Sequence, residues 1–151
     1  MAAVDTSLCN NGVLRKAMRR LGQVYDAAIA PSGLRATQFA VLAEIAALEG
    51  PTLRELANAL VMDLSALGHT LKPLARDGVV TVTADPHDRR AKRVLLTEAG
   101  MERFRKAQRL WHGAQQRFEA TLGVEQAANL RLVLGHIASP SFAEALAATP
   151  D

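Results

Sequence analysis

Aromatic side chains are scarce in this chain: four Phe, one Trp and one Tyr make up 4% of its 151 residues. A core must therefore be assembled from Ala, Leu and Val, a palette that favours helices. The single cysteine, Cys9, excludes an internal disulfide and a cysteine-rich zinc site. No apolar run reaches the ~20 residues needed to cross a bilayer. The start, Met1-Ala2-Ala3-Val4-Asp5, lacks a basic segment followed by an apolar stretch, so a cytoplasmic protein without membrane contact is expected. The four histidines, His69, His87, His112 and His136, are scattered, without the spacing of a metal site. No metal or other cofactor is expected, and no motif sets a base beside Cys9 as an enzyme would need.

Excess charge is also small, +3 from 18 Lys and Arg against 15 Asp and Glu, but it is unevenly placed. Residues 51 to 110 hold eleven cations and seven anions, while residues 111 to 151 hold two and four. A basic middle is what a nucleic-acid-facing segment requires. Within it, Val79-Val80-Thr81-Val82-Thr83 and Val94-Leu95-Leu96-Thr97 are β-branched or apolar runs. They flank a turn bearing Arg89, Arg90, Lys92 and Arg93, which reads as a hairpin with a cationic tip.

The rest of the pattern is helical. Val13, Ala17, Leu21, Val24 and Ala28 recur at helical spacing from Leu8 to Ile29, opposite Arg15, Lys16, Arg19 and Arg20, and Pro31-Ser32-Gly33 stops the run. A second helix is expected from Thr37, as N-cap, to Glu49, with Gly50 as its stop. Thr52-Leu53-Arg54-Glu55 has capping-box spacing and opens a short helix ending near Leu60. Val61-Met62 forms the turn, Asp63 the next cap, and Leu64 to Arg76 the following helix, which Gly78 ends. Pro73 inside that helix implies a bend or an early tightening. From Glu98, Phe104, Trp111 and Phe118 repeat every seven residues, with Ala107, Ala114 and Thr121 offset by three, as in a seam that packs on another helix. Gly123 breaks this helix; another spans Glu125 to Ile137, and Phe142 to Ala148 forms a last segment after Ser139-Pro140-Ser141.

Helix, turn, helix, hairpin is the winged-helix order. The chain resembles the MarR family of transcription regulators through Gly33-Leu34-Arg35-Ala36-Thr37-Gln38-Phe39, Thr52-Leu53-Arg54-Glu55-Leu56-Ala57, Leu71-Lys72-Pro73-Leu74-Ala75-Arg76-Asp77-Gly78, and Asp85-Pro86-His87-Asp88-Arg89-Arg90-Ala91-Lys92 running into Leu96-Thr97-Glu98-Ala99-Gly100. The resemblance spans roughly residues 10 to 138. It implies a mainly α fold with a small β-hairpin wing: one domain over 1–151, with a DNA-binding lobe at 34–97 and dimerisation helices at 8–30 and 98–148. A homodimer on double-stranded DNA with a pseudo-palindromic operator follows from it.

Site residues follow from that resemblance together with the residues themselves. Asp88 and Arg90 match the family's Asp-x-Arg at the wing tip, where a carboxylate that directs the guanidinium would prepare Arg90 for the minor groove. Arg89, Lys92 and Arg93 are expected on phosphates. On the groove helix, Leu64, Ala66 and Gly68 occupy positions where polar groups are usual. Base reading therefore falls to Ser65, His69, Thr70 and Lys72, with Arg76 on phosphate or a neighbouring carboxylate. A winged helix with so few base-reading groups also fits a protein-interaction module. Family members often bind small, frequently aromatic acids, and Arg20, Tyr25, Phe39 and Trp111 are the candidates for contacting such an aromatic or phenolic effector. A peroxide-sensing branch uses an N-terminal cysteine, so Cys9 is a redox candidate, although that branch pairs its cysteine with tyrosines and here Tyr25 is the only one.

Overall fold

A computed structural model of the chain describes residues 8–148. In chain order these form α1 (Asn10–Ile29), α2 (Ala36–Ala47), α3 (Leu53–Ala59), α4 (Leu64–Arg76), β1 (Val80–Ala84), β2 (Lys92–Leu96), α5 (Glu98–Leu122), α6 (Val124–Ile137) and α7 (Pro140–Ala148). They divide into two compact units between Trp111 and His112.

The core of the first unit takes one or two fully buried aliphatic side chains from each of five elements: Ile29 of α1, Leu42 and Ile45 of α2, Leu56 of α3, Leu67 and Leu74 of α4, and Val94 of β2. Truncating such a side chain to Ala typically costs about 2–5 kcal/mol. Three of the scarce aromatics meet in this unit. Phe39 stacks on Phe104 with ring centroids 5.5 Å apart and meets Trp111 at 6.0 Å. The N-terminal half of the seven-residue seam on α5 is thus core of this unit, with Phe104 and Ala107 buried.

Several helix ends differ from the expectation. α1 begins at Asn10, not Leu8, because Cys9 is its N-cap and its Sγ accepts the Gly12 N–H at 3.3 Å. α2 is capped at Arg35, so Thr37 is an ordinary exposed residue of the first turn. Its free donors are met from elsewhere: Gln38 Oε1 accepts the Arg35 N–H at 2.9 Å, and Asp26 Oδ1, ten residues upstream on α1, accepts that of Ala36 at 2.6 Å. α2 also stops at Ala47, two residues before Glu49, since Glu49 and Gly50 both turn to positive φ, +53° and +85°. The other caps follow the expected pattern. Asp63 Oδ1 accepts the Ala66 N–H at 2.7 Å. At Thr52 the box is complete, with Glu55 N–H donating to Thr52 Oγ1 at 3.2 Å and Thr52 N–H to Glu55 Oε2 at 2.7 Å.

α4 continues through Pro73 to Arg76. The proline lies in the last turn, so it removes only the bond to the His69 carbonyl. Gly78, at φ +67°, closes the helix: its N–H reaches the Ala75 carbonyl at 3.1 Å, and the Val79 N–H reaches Leu74 at 2.8 Å. Thr97 then starts α5, accepting the Gly100 N–H at 2.9 Å while its hydroxyl donates to the Gly78 carbonyl at 2.6 Å. The fit is so close that a β-carbon on Gly100 would stand 1.9 Å from the Val79 carbonyl oxygen.

In the second unit, Gly123 at φ +96° separates α5 from α6. Ala114 and Ala127 are buried, Arg131 pairs with Glu119 at 2.9 Å, and the His136 ring meets the edge of Phe142. Leu132, Val133 and Leu146 stay exposed. Among the described residues, no helix is long and apolar enough to cross a membrane.

Candidate nucleic-acid interface

α4 buries Leu67, Leu71 and Leu74, and this fixes its opposite side in the solvent. That exposed face carries Leu64, Ser65, Gly68, His69, Lys72 and Arg76. Thr70 does not join it: the residue is half-buried and its hydroxyl donates to the Ala66 carbonyl at 3.1 Å, one turn back on its own helix. Arg76 pairs with neighbouring Asp77, Nε to Oδ1 at 2.9 Å. Of the sequence candidates, Ser65, His69 and Lys72 share one exposed stripe of α4.

The hairpin is antiparallel, in register from Val80 opposite Leu96 to Ala84 opposite Lys92. Its base is tied to the α2–α3 linker, which the sequence did not announce. Thr52 forms a β-bridge with Arg93, and the Val94 N–H donates to the Pro51 carbonyl at 3.0 Å. The loop from Asp85 to Ala91 is organised by the buried Asp85. Its Oδ1 accepts the N–H groups of His87 at 2.7 Å and Asp88 at 3.0 Å, and its Oδ2 accepts Arg93 Nε. The His87 N–H is the first of the groups that hold the Asp85 carboxyl below its ordinary pKa; those of Asp88 and Arg93 add to it, while burial opposes them. Sequence reasoning passed over this aspartate, though Asp followed by Pro and two polar residues is an Asx-turn signal.

Two wing expectations need correction. Asp88 does not direct the Arg90 guanidinium: its Oδ1 accepts the Arg90 backbone N–H at 2.9 Å, and among the described residues no ion pair joins the two side chains. A carboxylate two residues back reaches the main chain more readily than the end of a long side chain, so Asp88 shapes the loop. Arg93 is not at the tip but on β2, half-buried, with Nη1 donating to the Gly50 carbonyl at 2.7 Å in addition to the Asp85 contact. Arg89, Arg90 and Lys92 are exposed and engage no side chain among the described residues.

Between wing and helices lies an open groove of ≈ 540 Å³, lined by Thr52, Leu53, Arg54, Leu64, Asp88, Arg90, Ala91 and Lys92. It brings the start of α4 and the wing to one surface, with Arg90 and Lys92 on one wall and Arg54, an exposed cation not singled out from the sequence, on the other. Only the folded linker reveals Arg54, since a lone arginine in a capping box carries no sequence signal.

Away from this surface, Tyr25, Phe39 and Trp111 line a second hollow of ≈ 390 Å³ with Ala40, Glu44 and Leu60. Arg20, grouped with them from the sequence, is absent from it and lies with Lys16, Arg19 and Gln23 along the exposed side of α1. No cluster with metal-binding composition occurs among the described residues. Cys9 is exposed at the start of α1.

Comparison with known proteins agrees with this geometry. A family model described as MarR family matches residues 34–92. The transcriptional regulator MosR of M. tuberculosis, solved in complex with DNA, is 37% identical with a TM-score of 0.80, over 91% of this chain and 98% of its own. CouR, a transcriptional repressor bound to a 23-mer DNA duplex, is 26% identical with a TM-score of 0.80, over 92% and 99%. The regulator PcaV of Streptomyces coelicolor, solved with its natural ligand, shares the fold at a TM-score of 0.81 and 23% identity, over 93% and 99%. No curated protein matches the chain.

Proposed function

Because this chain belongs to the MarR family of winged-helix, DNA-binding transcriptional regulators, we propose that it acts in the cytoplasm as a homodimeric repressor. It holds a pseudo-palindromic operator with two wings and two α4 helices. The observation that carries this reading is one groove where Arg90 and Lys92, exposed cations without an ion pair among the described residues, meet Arg54 and Leu64 at the start of α4, the helix whose exposed face bears Ser65, His69 and Lys72. Unpaired guanidinium and ammonium groups release counterions from a phosphate backbone without first giving up an internal partner. Arg90 serves the minor groove and Arg89 and Lys92 the phosphates. Ser65, His69 and Lys72 supply what base contact there is. Thr70 and Arg76 stand further from the contact, the first bonded to its own helix and the second to Asp77.

Dimerisation is supported by apolar side chains that the single chain leaves in water. Val13, Met18 and Val24 on α1, and Leu132, Val133 and Ile137 on α6, are more than a third exposed. Sedimentation at micromolar concentration tests it, and a monomer would overturn it. Operator binding is tested by titrating duplex from the protein's own promoter region against random duplex; equal affinity for both would favour the protein-interaction module instead.

Release by a small effector is the control that fits best. The hollow of Tyr25, Phe39 and Trp111 has the size of a small-molecule site. With Glu44 in its wall and Arg20 outside, it suits a neutral aromatic or phenolic compound better than an aromatic acid. Such a compound acts only if it favours one of two dimer arrangements. A phenol series that leaves operator affinity unchanged would refute this. Cys9, exposed at the first turn of α1, supports a second reading, thiol-based redox release. Peroxide sensitivity lost in Cys9→Ser would establish it.

A further inference from the structure

We propose that Arg93 is a positioning residue, a strut that locks the wing to the end of α2, and does not join the cations that hold phosphate. This rests on the DNA-binding reading above and changes the role of one of its residues. Arg93 sits on β2, opposite Thr83 across the hairpin and bridged to Thr52 on its other side. From there its Nε donates to Asp85 and its Nη1 to the Gly50 carbonyl at 2.7 Å, 43 residues away in sequence. Gly50 is itself fixed, its N–H donating to the Ile45 carbonyl of α2 at 3.2 Å.

Asp85 makes this contact consequential. The side chain is 5% exposed, and the oxygen not taken by Arg93 holds the backbone of His87 and Asp88, from which Arg89 and Arg90 project. One guanidinium therefore links the frame of the lobe to the loop that presents the free cations. Its surroundings also disfavour phosphate. Glu55 lies close enough to interact with its charge and lines the same hollow, with Pro51, Asn58 and Ala59. A phosphate approaching Arg93 would meet two carboxylates, whereas among the described residues no ion pair holds Arg89, Arg90 or Lys92.

The two roles differ in the sign of one effect. If Arg93 held phosphate, Asp85→Asn would remove a competing negative charge and tighten DNA binding. As a strut, Asp85→Asn weakens binding, as does Arg93→Gln, by roughly tenfold each for loss of a charged hydrogen bond. The double variant is then no worse than either single one. The experiment is operator affinity over a salt series for these variants and Lys92→Gln, with amide hydrogen exchange of the DNA-free full-length protein. Arg93→Gln and Asp85→Asn are expected to accelerate exchange at Asp85 and Ala91, while Lys92→Gln lowers the salt slope by about 0.9 and leaves exchange unchanged. Tighter binding in Asp85→Asn, or a slope reduced by about one in Arg93→Gln with exchange unchanged, would overturn the proposal. Arg93→Lys, which keeps the charge but cannot bridge both acceptors, should behave like Arg93→Gln and guards against a folding defect in the neutral variant. If the wild-type protein binds no duplex, the DNA-binding reading fails, and the exchange measurement alone decides for or against the strut.

Discussion

The exposed face of α4 and the wing belong to one unit and border one groove, yet each has what the other lacks. α4 is mechanically secure. It is capped by Asp63, closed by Gly78 and seated on Leu67, Leu71 and Leu74, but its outer face sets Leu64 and Gly68 among Ser65, His69, Lys72 and an Arg76 already paired with Asp77. The wing is chemically rich, with Arg89, Arg90 and Lys92 exposed, but it stands on two short strands whose order depends on the polar node at Asp85 and Arg93. The difference teaches a division of labour. On the proposed DNA-binding reading, the helix would set register on the duplex while the wing would supply most of the affinity and read groove shape.

The largest expected effect tests that division at the tip. Arg90→Ala should weaken operator binding about tenfold to a hundredfold, as for 1–3 kcal/mol, with an unchanged melting temperature because the side chain has no partner to lose among the described residues. Ser65→Ala and His69→Ala should each cost less; a larger loss at either would return specificity to the helix. Next comes the frame that the two regions share. Gly100→Ala places a β-carbon against the Val79 carbonyl and should destabilise the fold by about 1–3 kcal/mol, seen in thermal or urea unfolding. A neutral result would mean that α5 can shift freely away from the strand.

On α4, space around Gly68 is open in the free protein. Gly68→Ala should therefore stabilise the helix by about 1 kcal/mol and leave DNA affinity nearly unaltered. A tenfold loss of affinity would instead show that the glycine is there for close approach of the duplex. A last effect, read in stability and not in affinity, concerns Asp85. Its carboxyl titrates lower in the fold than the usual value near 3.9, so its contribution is complete above that value and disappears as pH falls through the lower folded one. The melting temperatures of wild type and Asp85→Asn should thus differ by a constant amount from pH 5 to 8 and converge in acid. A gap that grows steadily from pH 5 to 8 would point to another group.

Legibility from the sequence tracked how local each determinant is. The capping box at Thr52, the cap at Asp63 and the stop at Gly78 are contacts over three or four residues, and all three fell where the pattern put them. The start of α2 did not, because the Ala36 N–H is met by Asp26 from another helix. The same holds at the groove. Exposed cations at the tip could be read from the hairpin, but the Arg93 contact to Gly50 spans 43 residues, and only the fold brings it about. Tyr25, Phe39 and Trp111 converge although they are distant in sequence, because α1, α2 and α5 supply one aromatic side chain each to the same hollow. Arg20, five residues before Tyr25, points elsewhere on α1, since that interval is not a whole number of helical turns.

The most direct test is a salt titration of the purified protein against duplex from its own promoter region and against random duplex, with wild type and Arg90→Ala side by side. A wing-led regulator binds its own site more tightly than random duplex, weakens steeply as salt rises, and loses that preference in Arg90→Ala. Equal affinity for both duplexes, or full preference retained in Arg90→Ala, would contradict it.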